Sequence, residues 1–127
     1  MENTSKHIAI IEDDIAIVQM YRMKFEAEGY VVITAGDGEA GLTLLENNKV
    51  DIVLLDLMMP NMNGDEMLVE LRKTDHGKQL PVIVLTNMGE NEAPDTIRED
   101  RLVKDFIVKA SMTPKDVAEK VAEVLDN

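Results

Sequence analysis

Asp51-Ile52-Val53-Leu54-Leu55-Asp56 is the stretch that decides the fold. Four consecutive apolar residues stand between two acids, and Pro60 and Asn61 mark a turn just beyond. A half-exposed strand would alternate apolar and polar side chains. A short unbroken run bounded by turn signals is the pattern of a strand covered on both faces. The pattern recurs outward along the chain in Ile8-Ala9-Ile10-Ile11, in residues 30–35, in Val82-Ile83-Val84-Leu85-Thr86 behind Pro81, and in Asp105-Phe106-Ile107-Val108. Helical spacing fills the intervals. Residues 14–28 place Ile17, Met20, Tyr21 and Phe25 on one face and stop at Gly29; residues 39–47 carry Ala40, Leu44 and Leu45. Residues 65–73 carry Met67, Leu68 and Leu71, and a polar helix is expected within 91–101. Thr113 as N-cap and Pro114 at the first helical position open a last helix with Val117, Val121, Val124 and Leu125. Five strands alternating with five helices predict an α/β fold: a five-stranded parallel sheet, doubly wound, with helices on both faces.

The chain has 127 residues, the usual size of one domain. A fold of this size buries roughly two thirds of the surface its unfolded chain exposes, so a core needs no disulfide or metal. Residues 1–127 are therefore read as a single domain that ends after its last helix, with residues 1–6 as a frayed lead-in. Thirteen basic against 25 acidic residues give a net charge of -12, which disfavours direct contact with nucleic acid or anionic lipid. The absence of Cys excludes disulfide scaffolds, thiolate zinc sites and thiol catalysis, and fits a reducing cytosol. No apolar run approaches the roughly 18 residues of a membrane span. The polar start Met1-Glu2-Asn3-Thr4-Ser5-Lys6-His7 lacks the apolar stretch of a signal peptide, so a cytoplasmic location is expected.

Ligands of such sheets bind beyond the carboxyl ends of the strands. The residues arriving there are Glu12, Asp13 and Asp14 after the first strand, Asp56 after the third, Thr86 and Asn87 at the fourth, and Lys109 after the fifth. Clustered carboxylates repel and gain proton affinity unless a cation compensates. A hard divalent ion with oxygen ligands is the natural compensation, and Mg2+ suits a few carboxylates, waters and a phosphate. Metal, ammonium, hydroxyl donor and carboxylate nucleophile are the parts for transferring a phosphoryl group, here to an aspartyl-phosphate on Asp56. Taken singly, each residue also has a plain structural role. Asp14 is read chiefly as a helix cap.

With these motifs in place, Ile10-Ile11-Glu12-Asp13-Asp14, Asp51 through Gly64, Val84-Leu85-Thr86 and Phe106-Ile107-Val108-Lys109, the chain resembles the receiver domains of two-component response regulators, similar to single-domain chemotaxis regulators. The resemblance runs from Ile8 to Leu125. It implies a flavodoxin-like strand order 2-1-3-4-5 and a phosphorylation-dependent signalling switch, not an enzyme acting on other molecules. It implies Asp56 as phosphoacceptor, loaded by a histidine kinase or phosphotransfer protein. Asp13 is implied as a direct Mg2+ ligand, Glu12 as one acting through water, and the backbone carbonyl of Met58 and Asp56 itself as further ligands. Thr86 would bond a phosphoryl oxygen, Lys109 would pair with it, and Phe106 would follow Thr86 as the aromatic switch. The surface of the fourth helix, fifth strand and fifth helix would then engage an unknown downstream protein. A monomer is expected, with a dimer through that surface as the alternative.

Three departures bear on these expectations. Ala110 follows Lys109 where the family usually has a cis proline, so either a cis non-proline bond is held there at about 2.5–4 kcal/mol or the bond is trans and Lys109 sits differently. Asn87 replaces a small residue and would narrow access to the phosphoryl group or donate to it. Met58 and Met88, two residues after Asp56 and Thr86, would not orient an attacking water, so a slowly decaying phosphoryl form is expected. Residues 89–103 are the least family-like segment. Two other readings stand beside the switch. A receiver fold that serves only as an interaction scaffold is one. A Mg2+-dependent phosphatase of the haloacid-dehalogenase type is the other, disfavoured because it needs an Asp where Met58 stands.

Overall fold

The computed structural model describes residues 5–126. Residues 1–4 of the expected lead-in lie outside the described residues; the Lys6 carbonyl already accepts from the Val31 N–H at 2.9 Å. Five parallel strands form one sheet in the order 2-1-3-4-5: β1 (His7–Ile11), β2 (Val31–Ala35), β3 (Ile52–Leu55), β4 (Val82–Thr86) and β5 (Val103–Val108). The helices are α1 (Ile15–Ala27), α2 (Gly38–Asn47), α3 (Gly64–Leu71), α4 (Asp95–Arg98) and α5 (Pro114–Leu125).

The alternate side chains of the strands point into two separate cores, as period-two geometry requires. On one face Ala9, Ile11, Val53, Leu55, Val82 and Val84 pack against Leu45 of α2, Met67, Leu68 and Leu71 of α3, and Ile97 of α4. On the other, Ile8, Ile10, Ile52, Leu54, Ile83, Leu85 and Ile107 pack against Tyr21 and Phe25 of α1 and Val117, Ala118 and Val121 of α5. All four residues of β3 are buried, because each of its faces meets a helical layer. Phe25 supplies two ring contacts, stacked on Tyr21 at 6.2 Å between centroids and edge-on to Tyr30 at 5.7 Å.

Several local expectations need correction. Met20 is 42% exposed, because at about 100° per residue it lies well outside the stripe of Ile17, Tyr21 and Phe25. Ala40 is exposed, and the buried line of α2 is instead Gly38, Gly41 and Leu45. The fourth helix is a single turn preceded by a 3-10 turn at Glu90–Glu92, since Pro94 removes a donor that a longer helix would need. β5 begins two residues earlier than its apolar run. Lys104 is the extra residue where the pairing with β4 slips between Val82 and Ile83, and the shifted register sets Val108 opposite Thr86.

Candidate functional site

The site lies where β1, β3, β4 and β5 end. β1 delivers Glu12 as a buried residue, held on the sheet by its N–H to the Ala35 carbonyl at 2.9 Å. Asp13 is exposed, and Asp14 turns away to cap α1, accepting from the N–H groups of Ala16 at 3.0 Å and Ile17 at 3.2 Å. β3 delivers Asp56, also buried, with its N–H on the Ile11 carbonyl at 3.0 Å. One oxygen of each of Glu12, Asp13 and Asp56 lies within 4.8 Å of the others, so the three carboxylates converge as expected. Gly64 is required just behind them: a Cβ there would stand in contact with the Asp56 carbonyl oxygen.

Lys109 reaches this group from the far edge of the sheet. Its Nζ lies 3.1 Å from Asp56 Oδ2 and 2.5 Å from Glu12 Oε1. The described residues contain no cis peptide bond, so the Lys109–Ala110 bond is trans, and Lys109 nevertheless enters the site from a 3-10 turn at Lys109–Ser111. The direct contact between Lys109 and Glu12 has no local signal in the sequence.

Electrostatics follow from burial. Desolvation pushes the Glu12 carboxyl above its ordinary range; the Lys109 ammonium and the Asp14 N–H oppose that, and the Asp56 charge adds to it. Burial alone would lower the pKa of Lys109. The hydrogen bonds and charges of Glu12 and Asp56 outweigh it and hold the ammonium more firmly protonated than usual. Glu12 Oε1 is a buried oxygen with no hydrogen bond of good geometry; only the Lys109 charge meets it. A buried, incompletely satisfied carboxylate oxygen beside two more carboxylates is a donor set that fits a hard divalent cation.

Around this centre Met58 is 60% exposed, its N–H donating to Asp56 Oδ1 at 3.3 Å. Thr86 is fully buried, and its hydroxyl oxygen accepts from the Met88 N–H at 3.3 Å, which leaves the hydroxyl proton free to be donated. Asn87 is exposed on the rim. Phe106 is half-buried and packs against the core beneath α4. Glu12, Asp13, Asp56, Thr86 and Lys109 thus come together at this edge of the sheet, whereas Asp14 serves α1 and Phe106 lies opposite Val84, two residues before the strand ends. Asn61 also donates to Asp37, 24 residues away along the chain, a contact that the turn signal of Pro60-Asn61 does not encode.

Comparison with known proteins gives a consistent result. The family model described as response regulator receiver domain matches residues 8–122. A probable transcriptional regulator, ycf27 of Cyanophora paradoxa, is 33% identical over 98% of this chain and 50% of its own length. The alkaline phosphatase synthesis transcriptional regulatory protein PhoP of Bacillus subtilis is 31% identical over 95% of this chain and 49% of its own. The chain therefore spans about half the length of these curated relatives. Among solved structures, a CheY-like receiver domain protein from Methanospirillum hungatei superposes with TM-score 0.87 at 30% identity, covering 97% of this chain and 95% of that one. The response regulator TrrA of Thermotoga maritima, solved in complex with Mg(2+)-BeF, superposes with TM-score 0.80 at 28% identity, covering 93% and 97%.

Proposed function

The chain belongs to the response regulator receiver domain family, and on that premise we propose that it is a signalling switch loaded on Asp56. The donor is a phosphohistidine of a histidine kinase or phosphotransfer protein. An Asp56 oxygen attacks the phosphorus, the P–N bond breaks, and its electron pair returns to the imidazole nitrogen, leaving an acyl phosphate on Asp56. The supporting observation is the buried Asp56 carboxylate, one oxygen held by the Met58 N–H and the other by Lys109, beside a buried Glu12 oxygen that only the Lys109 charge meets.

Glu12, Asp13, Asp56 and the Met58 carbonyl would hold Mg2+, which when bound neutralises charge on the transferring phosphoryl oxygens. Lys109 supplies a second, fixed positive charge, and its ammonium exchanges an Asp56 oxygen for a phosphoryl oxygen. The Thr86 hydroxyl donates to another phosphoryl oxygen as the group forms. Phosphorylation adds about -1.5 to -2 charge. The inward pull on Thr86 opens space that Phe106 fills, and the surface of α4, β5 and α5 changes for a downstream protein. Phe106 has no hydroxyl, so it signals by burial alone. The chain acts in the cytoplasm as a monomer and turns over only its own phosphoryl group; Met58 stands where a phosphatase would need its second Asp.

The test is intact mass after incubation with acetyl phosphate and Mg2+, beside an Asp56→Asn control. One phosphoryl addition that needs Mg2+ and vanishes in the control is the expected result. No addition under conditions that load other receivers would leave the interaction scaffold as the reading.

A further inference from the structure

We propose that the hydrogen bond from Asn61 to Asp37 is a tether that positions the loop carrying Met58, and so tunes how tightly the acidic site binds a divalent cation. This rests on the reading of Glu12, Asp13, Asp56 and the Met58 carbonyl as the cation's ligands. The loop of residues 57–63 is anchored at two places. On the α3 side, the Gly64 N–H bonds the Leu57 carbonyl at 3.0 Å and the Asn63 N–H bonds Glu66 Oε1 at 3.1 Å. On the other side it docks onto the start of α2. Asn61 Nδ2 donates to Asp37 Oδ2 at 2.7 Å, and the Gly38 N–H donates to the Met62 carbonyl at 2.9 Å.

Both docking partners are specialised for the contact. Asn61 adopts φ 66°, a left-handed conformation that Asn tolerates better than other non-glycine residues, and this turn aims its amide at Asp37. Gly38 admits the loop because a Cβ there would lie 2.6 Å from the Met62 carbonyl oxygen. Asp37 is oriented in advance: its other oxygen caps α2 through the Ala40 N–H at 2.8 Å. The cap and the Asn61 amide together hold its carboxyl below the ordinary range. The Met58 carbonyl sits between the two anchors, three residues from Asn61. Removing one of the two bonds on the α2 side loosens that anchor and lets the carbonyl move more, and a ligand that must be ordered on binding contributes less affinity. Asn61 and Asp37 are positioning residues, since neither is assigned to touch the cation.

Two substitutions isolate the tether. Asn61→Gly keeps the left-handed backbone and removes the amide. Asp37→Ser keeps a helix cap of comparable quality and removes the oxygen that Asn61 reaches. Mg2+ affinity is measured by calorimetry, with the Met58 amide resonance followed by NMR and the thermal midpoint recorded. Each single variant is expected to bind Mg2+ roughly three- to tenfold more weakly, the scale of one hydrogen bond. The Met58 resonance should shift, and the midpoint without Mg2+ should move by no more than the few degrees that one hydrogen bond accounts for. The double variant should be no weaker than the weaker single, because both remove the same bond. Wild-type affinity in either single variant, or independent losses that multiply in the double, would overturn the tether. Wild-type protein that binds no Mg2+ would overturn the ligand assignment itself.

Discussion

The two ends of the sheet both hold charge, half-buried at one and buried at the other, and they hold it differently. At the amino ends of β4 and β5, Arg72 donates to both carboxylate oxygens of Asp100, at 2.8 and 3.1 Å, and to the carbonyls of Gly77 at 2.6 Å and Leu80 at 2.7 Å. Asp100 in turn accepts from the Leu102 N–H at 2.9 Å. Each group in that network has its partners, so the network ties α3, the approach to β4 and the approach to β5 into one piece. At the carboxyl ends, one ammonium is shared by Glu12 and Asp56, and a buried Glu12 oxygen lacks a proper hydrogen bond. A fully hydrogen-bonded network rigidifies, whereas three carboxylates that share one ammonium leave negative charge for a further cation to meet. By that criterion the first end is structural and the second is the candidate site.

The sharpest way to break the contrast is at Asp56. Asp56→Asn should abolish phosphoryl addition in the mass assay while the thermal midpoint holds or rises, because a like charge beside Glu12 is removed. A large loss of stability would mean that the carboxyl end is structural too. The converse substitution, Arg72→Ala, should lower stability by about 3 kcal/mol, since it strands a carboxylate and two carbonyls. A urea titration of that variant measures the loss, and its remaining folded fraction should still accept a phosphoryl group.

Met58→Asn sharpens the comparison from the other side. A polar group at the exposed position next to Asp56 can orient water, so decay of the phosphoryl form should quicken roughly tenfold, followed as loss of the added mass. An unchanged rate would show that Met58 is not what protects the acyl phosphate.

The smallest expected effect is a pH dependence. Burial acts to raise the pKa of the Asp100 carboxyl, but the Arg72 hydrogen bonds and charge and the N–H groups of Leu102 and Val103 prevail, and the net direction is down. A carboxylate depressed by folding contributes stability that is present above its unfolded pKa, near 3.9, and is lost as pH falls through its lower folded value. The stability gap between wild type and Asp100→Asn should therefore be constant near neutrality and close below about pH 4. Glu12 has the opposite sign. Its raised carboxyl favours the folded state as pH falls from neutrality through its folded value, so the two ends of the sheet respond to acid in opposite directions.

Much of this was legible without the structure. The strand runs, the residue at each strand end and the Thr113-Pro114 start of α5 are local patterns, and local patterns follow from backbone periodicity and missing donors. The Thr113 side chain does accept from the Asp116 N–H at 3.2 Å, as the cap required. In α2, with 10 residues, there are too few turns to fix whether Ala40 faces inward, whereas the helical angle alone sets Met20 of α1 apart from the buried stripe. The length of α4 was hidden because a polar helix has no apolar stripe to measure.

The sequence by itself determined the alternation of buried strands with helices, and hence that Glu12, Asp13, Asp56, Thr86 and Lys109 share one edge. Only the tertiary structure decided which of them touch. Lys109 meets Asp56 across 53 residues, Arg72 meets Asp100 across 28, and Asn61 meets Asp37 across 24. Such contacts depend on sheet register, on the slip at Lys104 and on loops docking within hydrogen-bond distance. No periodicity along the chain encodes those quantities, because they are set only when distant segments pack together.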